Sequence, residues 1–189
     1  YHEKIFDPIN KAIKKYDTEQ ILDHHFLNSR GAISRFDRNA IEIRVIDTQE
    51  TPSADIAIAA FIVEALKLLV SEELVSLEDQ KKWHEDDLFD IFNDVIKNAE
   101  NTLITNKRYL AIFDIEKDAE VRYIWKNIYK RVGNKLTVNH QNHIEFLLQN
   151  GSLSSRILKS LRGDFSETNI KRTYLKIAES LQSDRMFRP

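Results

Sequence analysis

Four arginines, Arg30, Arg35, Arg38 and Arg44, fall within fifteen residues and alternate with Asp37, Glu42, Asp47 and Glu50. Within the segment RFDRNAIEIRVID (35–47), Glu42 and Arg44 stand two positions apart in an apolar run. Side chains alternate faces along a strand, so Ala40, Glu42, Arg44 and Ile46 share one face and Ile41, Ile43, Val45 and Asp47 the other. The β-branched residues of the second face are expected to pack against something. The first face then carries a carboxylate beside a guanidinium, and an isolated charge there costs several kcal/mol to desolvate unless it is paired or meets a polar ligand. Two chemistries fit. One is a salt-bridge ladder on an exposed sheet face. The other is a floor for an anionic substrate, with the carboxylate a hard oxygen ligand for Mg²⁺ and the guanidinium a fork for phosphate or carboxylate oxygens. Phosphoryl transfer uses such a clamp on its equatorial oxygens.

Other candidates are weaker. His24 and His25 are adjacent, a spacing that on a regular helix or strand does not aim both rings at one metal, although Asp23 precedes them. His140 and His143 share a helical face without a third ligand nearby, and capping or surface roles suit them better. The sequence holds no GxSxG, P-loop, GxGxxG or HExxH motif. Trp83, Trp125 and the tyrosines fall on apolar stripes and read as core.

The elements around the arginines follow from periodicity. Residues 3–16 repeat apolar side chains at helical spacing (Ile5, Phe6, Ile9, Ala12, Ile13, Tyr16), with Pro8 tolerable near a helix start. EQILDHHFLNSRG reads as a short helix or loop ending at Gly31. AISRFD and NAIEIRVID read as two strands joined by a tight turn at Asp37-Arg38-Asn39. Thr51 and Pro52 then cap a helix over SADIAIAAFIVEALKLLV, apolar on almost every side and so expected to be buried. Residues 77–104 carry one stripe (Leu88, Ile91, Phe92, Val95, Ile96, Leu103), and 119–132 another, stopped at Gly133. Helices over 138–149, 153–162 and 167–182 follow, the first two ending near Gly151 and Gly163. The fold class is α+β and mostly helical. A mixed helix and hairpin region spans 1–50, and a C-terminal helical bundle spans 51–189.

Composition limits what this architecture can do. The chain has 189 residues, a net charge of −2, no cysteine, 4 glycines and 3 prolines. Missing cysteine removes disulfides, thiolate metal sites and cysteine nucleophiles, and a reducing cytoplasm is the natural expectation. Near-neutral charge argues against a general nucleic-acid binder, and no apolar run is long enough for a membrane span. No signal peptide is apparent, and without an initiator Met the chain is expected to begin mid-protein. Residues 72–100 hold ten acidic and three basic side chains, whereas 151–189 hold eight basic and four acidic. Solvated helix faces account for this; a basic tail docking on an acidic partner is the alternative.

SRFDRNAIEIRVIDTQETPSADIAIAAFIVEALKLLV (34–70) resembles the carboxylate–amine ligases of the second glutamate–cysteine ligase family. They carry a small-residue, Val/Ile, Glu, hydrophobic, Arg, Val, hydrophobic, Asp strand before a helix with an acidic start. NGSLSSRILKSLRGDFSETNIKRTYLKIAESLQSDRMF (150–187) is similar to their C-terminal helices. The likeness runs from about Leu27 and is strongest at 33–66. The strand motif is shared across the glutamine synthetase-like superfamily, and the longer context narrows it.

The resemblance implies an ATP-dependent ligase that phosphorylates a carboxylate, commonly the γ-carboxylate of glutamate, and lets an amine such as that of cysteine displace phosphate, as in glutathione biosynthesis. It implies ATP and Mg²⁺ as cofactors and small-molecule substrates. Glu42 would be the Mg²⁺ ligand, and Arg44, with Arg35, a catalytic contact to the phosphoryl group or substrate carboxylate. Arg30 and Arg38 would be further anion contacts. Family members are longer, with Glu-x-Glu metal carboxylates and much of the nucleotide site in an N-terminal part that this chain lacks. The chain therefore reads as the C-terminal piece of one catalytic domain from a glutamine synthetase-like sheet. Alone it is expected to be inactive, partnered by the rest of the same protein or by another copy of itself. Two rivals stay open: a helical interaction domain without activity, and another superfamily phosphoryl-transfer enzyme such as a guanidino kinase, which should show a reactive cysteine.

Overall fold

The computed structural model describes residues 1–189 and divides into two compact units, Tyr1–Thr48 and Gln49–Pro189. The fold is α+β and mostly helical, with ten α-helices and two short two-stranded antiparallel sheets.

In the first unit a π-helical turn, His2–Phe6, runs into α1 (Asp7–Ile13), with Pro8 in its first turn and the Asp7 amide donating to the His2 carbonyl. The helix stops three residues short of the predicted Tyr16. Of the predicted stripe only Phe6 is fully buried, while Ala12 and Tyr16 are exposed. After a loop, α2 (His24–Leu27) begins at Asp23, whose Oδ1 accepts the His25 amide at 2.6 Å. Strand β1 (Ala32–Arg35) pairs antiparallel with β2 (Ala40–Ile43), setting Ile33 opposite Glu42 and Arg35 opposite Ala40. The connection is the predicted one: a 3₁₀ turn over Phe36–Arg38, then Asn39 in the left-handed region (φ +49°), which asparagine tolerates. The Arg44 amide donates to the Gly31 carbonyl at 2.8 Å, so the ladder reaches one residue past β2.

The inward side of this hairpin is the opposite of that expected. Ile41, Ile43 and Val45 are 68%, 36% and 52% exposed, so the apolar face has no cover. The face of Ile33, Arg35, Glu42 and Arg44 is the buried or half-buried one. The alternation was legible, but which parity faces inward depends on β1, where Ile33 and Arg35 are the buried pair.

The second unit opens with α3 (Pro52–Val70), capped by Thr51 Oγ1 accepting the Ala54 amide at 3.2 Å. The expectation that α3 is buried all round is corrected. Ala54, Ala57, Phe61 and Leu68 form one buried face, whereas Ile56, Val63 and Val70 are 58%, 49% and 83% exposed. Two alanines on the buried face let another helix approach closely.

The single stripe expected over 77–104 is broken into pieces. These are α4 (Leu77–Lys81), capped by Ser76, α5 (Glu85–Asn98), capped by His84, and strand β3 (Leu103–Ile104). Ala99, at φ +48°, ends α5 and turns the chain toward β3. Next come α6 (Lys107–Ala111) and β4 (Ala119–Glu120), which pairs with β3. The remaining helices are α7 (Val121–Val132), α8 (Val138–Asn150), α9 (Leu153–Leu161) and α10 (Glu167–Ser183). α3 packs most extensively on α8, and Phe61, Leu68, Leu110, Ile124, Ile128 and Val132 lie in the core.

α7 stops at Gly133 as expected, although Gly133, at φ −55°, leads into a 3₁₀ turn rather than a left-handed cap. A Cβ added there would lie 3.0 Å from the Tyr129 ring. Gly151 (φ +89°) does end α8, while α9 ends one residue before Gly163, on left-handed Arg162. Trp125 is 36% exposed beside Phe61, and Trp83 lies under the Arg108 guanidinium at 4.1 Å, so both line the rim of the core rather than its centre. No helix is long and apolar enough to cross a membrane.

Candidate functional site: the hairpin arginines and the α2 histidines

The inward face of β1 and β2 gathers the charges that the sequence singled out into one chain of contacts. Arg35, 9% exposed, donates Nε and Nη2 to the two oxygens of Asp37 at 3.0 and 2.9 Å, and Nη1 to Glu42 Oε2 at 2.7 Å. The second oxygen of Glu42 accepts Arg44 Nε at 2.7 Å. Arg44 Nη1 continues to the carbonyl of Asn28 at 2.8 Å. Asn28 is fully buried, accepts Arg30 Nη1 on its own side-chain oxygen at 3.1 Å, and donates to the Tyr1 hydroxyl at 3.0 Å. Arg30, Arg35, Glu42 and Arg44 are thus joined through Asn28 and one another. Arg38 stands apart, its side chain 67% exposed at the turn and only 3.5 Å from Asp37.

This geometry sets the electrostatics. Hydrogen bonds from Arg35 hold the Asp37 carboxyl down at about 2. Those from Arg35 and then Arg44 hold Glu42 below the usual carboxylate range. Its partners Asp37 and Glu42 push the Arg35 guanidinium up. Every donor nitrogen of Arg35 is occupied, so its part is to fix Glu42 and Asp37. Arg44 differs. With Nε on Glu42 and Nη1 on Asn28, its Nη2 makes no hydrogen bond within the protein, and the side chain is 21% exposed. A guanidinium locked at two nitrogens with the third open is suited to an anionic oxygen.

Mg²⁺ fits this donor set poorly. The ion asks for near-octahedral oxygen ligation at about 2.0–2.1 Å, yet both Glu42 oxygens are committed to guanidinium groups and Asp37 is committed to Arg35. The hairpin alone does not build a magnesium site.

A second cluster lies beside it in the same unit. The ligand atoms of Asp23, His24 and His25 all lie within 4.8 Å of one another. The two rings sit 4.4 Å apart, against Phe6 at 4.0 and 4.9 Å. His25 Nδ1 is 2.8 Å from Asp23 Oδ1, and its Nε2 is 3.7 Å from Asp37 Oδ1. The expectation that adjacent histidines diverge fails because α2 is a single turn entered from extended backbone at Asp23. By contrast, His143 Nδ1 is 2.8 Å from the Asn139 carbonyl within α8, and no metal cluster forms there.

In the second unit, the buried Glu50–Arg156 pair had no signal in the sequence, since its members lie 106 positions apart. Nη1 and Nη2 of Arg156 engage both Glu50 oxygens, Nη2 at 3.1 Å, while Nε reaches the Gly151 carbonyl at 3.2 Å. A cavity of about 410 Å³ among α3, α5, α6 and α7 is lined by Leu66, Leu88, Phe92, Trp125 and similar side chains, with little polar surface to orient a reaction.

No family model matches this chain, and no solved structure matches it. A stretch of 52 residues is 42% identical to an uncharacterized protein of Archaeoglobus fulgidus. That stretch is 28% of this chain and 14% of the archaeal protein, which is therefore about twice as long.

Proposed function

We propose that this chain is the C-terminal portion of a cytoplasmic, ATP-dependent carboxylate–amine ligase of the glutamate–cysteine ligase kind. The observation that carries the reading is Arg44, held by Glu42 at Nε and by Asn28 at Nη1, with Nη2 left open. ATP phosphorylates the γ-carboxylate of glutamate or a related acid. The amine attacks the acyl carbon, the C–N bond forms, the C–O bond to phosphate breaks, and inorganic phosphate leaves. The Arg44 guanidinium binds an oxygen of the transferring phosphoryl or of the substrate carboxylate, where planar two-point donation matters. Glu42 and Arg35 orient it, and Arg30 adds positive charge beside Asn28.

The magnesium ions of this reaction rest on carboxylates outside the 189 residues, because Glu42 is already shared between two guanidinium groups. The adenine and the remaining phosphate contacts likewise come from the rest of the protein, so the 189-residue chain alone neither hydrolyses ATP nor ligates.

The test uses the full-length protein with ATP, Mg²⁺, glutamate and a panel of amines, following phosphate and amide by mass spectrometry. One ADP and one phosphate per amide is expected. Release of AMP and pyrophosphate, or phosphate release indifferent to amine and acid, overturns the reading.

A second reading has its own observation. A carboxylate gripped by two guanidinium groups is also what a structural salt-bridge ladder looks like, and the unit would then be a binding module. The two readings separate on the variants described in the Discussion.

A further inference from the structure

We infer that Asp23, His24 and His25 form a binding site for a divalent transition-metal ion of the zinc type, distinct from any magnesium of the ligase reaction and independent of that reading. Four observations carry it. The three candidate ligand atoms already lie within 4.8 Å of one another. Ligands of a tetrahedral zinc ion, at bond lengths of about 2.0–2.1 Å, stand roughly 3.3 Å apart, so small side-chain rotations bring the set to bonding distance. The donors are two imidazole nitrogens and one carboxylate oxygen, a set that favours zinc, nickel or copper over magnesium or calcium.

The third observation is the surroundings of His25. A metal-ligating histidine characteristically gives its other ring nitrogen to a carboxylate, which fixes tautomer and orientation. With Nδ1 turned to Asp23, His25 presents Nε2 toward Asp37 Oδ1 at 3.7 Å. Asp37 is itself held in place by Arg35 at 3.0 and 2.9 Å. The fourth is the apolar backing, since the Phe6 ring lies against both imidazoles and restricts their rotation.

In the metal-free protein the hydrogen bond between His25 Nδ1 and Asp23 stands where the ion would sit. On binding, the proton between His25 Nδ1 and Asp23 is released to solvent, the metal takes its place on Nδ1, and the neutral ring carries its one proton on Nε2, facing Asp37. His24 contributes the third ligand, and the fourth position is left to water. Asp23 is exposed, so the ion has an open approach. A site closed by three consecutive residues needs no long-range ordering to form. The ion would pin α2 to the hairpin turn through Asp37.

The test is a calorimetric titration of the untagged 189-residue protein with Zn²⁺ after chelator dialysis. Co²⁺ spectroscopy supplies the coordination geometry. One Zn²⁺ per chain and a tetrahedral cobalt spectrum are expected. Losing an outer-shell carboxylate typically costs about 10–100-fold in affinity. Asp37→Asn should therefore weaken binding roughly 10-fold, and His24→Ala or His25→Ala more than about 100-fold. His140→Ala combined with His143→Ala should leave affinity unchanged. Should a ligand variant fail to fold, the imidazole resonances of the unaltered protein decide, because those of His24 and His25 must move on adding Zn²⁺ while those of His140 and His143 stay. Absence of binding, affinity retained in His24→Ala, or resonance shifts confined to His140 and His143 would overturn the site.

Discussion

Arg156 and Glu50, both with fully buried side chains, hold each other by two parallel hydrogen bonds, and Glu50 Oε1 also accepts the backbone amide of Phe187 at 2.8 Å. The Phe187 carbonyl returns a contact to Arg156 Nη1, also at 2.8 Å. Breaking a buried pair at one end leaves a charge without its partner, which costs about 3–5 kcal/mol. Glu50→Leu or Arg156→Met alone should therefore lower urea-unfolding stability by that much. The double replacement Glu50→Leu with Arg156→Met should lose clearly less than the two singles added together. Additive losses in a double-mutant cycle would show that the pair is not coupled.

Glu42 and Arg44 separate turnover from stability. In the full-length protein, Arg44→Lys keeps the charge but loses the fork, and Glu42→Gln removes the charge that orients it. Under the ligase reading each lowers kcat by roughly 10²-fold or more, whatever the network itself contributes to stability. A lowered melting temperature with turnover intact makes the network a structural ladder and removes Arg44 from the chemistry.

Much of this arrangement was legible from side-chain spacing, and the failures share a cause. Thr51 and Pro52 announce the start of α3 because capping is local, and Asp37-Arg38-Asn39 announces the hairpin because few residues accept its left-handed position. Which hairpin face turns inward is decided by Phe6, Asn28 and Ile33, buried residues outside the strand being read. The two-residue strands β3 and β4 are too short for any periodicity to register. In α5, Leu88 and Ile96 of the stripe remain 39% and 61% exposed, so its regularity overstates how much of the helix is covered. The arginines were found by density alone, and their order of contact, Arg35 to Glu42 to Arg44 to Asn28, needed the register. Adjacency on a long helix separates side chains, a rule that the single isolated turn of α2 carrying His24 and His25 does not obey.

Tyr129 gives a titration signature. Burial, with the hydrogen bond from its hydroxyl to Glu145 Oε1 at 2.8 Å, pushes the phenol up from 10.0 to about 12. The neutral form is the one the fold favours. Its stabilising contribution is therefore complete below pH 10 and is lost as the pH rises through 10 toward 12. Burial also pushes the Tyr109 phenol up, so ultraviolet titration should show more than one tyrosine ionising late, and Tyr129→Phe should remove one of those steps. A late amplitude undiminished by the substitution would show that Tyr129 is not among the late-ionising phenols.

The bare face of the hairpin should make the chain associate. A two-stranded sheet has two open edges, and Ile41, Ile43 and Val45 add an apolar surface beside them. Sedimentation velocity is expected to show concentration-dependent self-association that the double variant Ile41→Lys with Ile43→Lys reduces. A monomer at all concentrations, indifferent to these substitutions, would contradict it.

The bond between Phe187 and Glu50 also has a topological meaning. The second unit begins at Gln49, so the contact brings its two ends side by side and makes its chain nearly a closed ring. A few flexible residues between Pro189 and Gln49 would complete the ring, and a new opening could then be cut in an exposed connection such as the one between α4 and α5. Such a circular permutant keeps Glu50, Arg156 and Phe187 in place while reversing which helices emerge first from the ribosome. The order of synthesis could thereby be varied without altering the packed product.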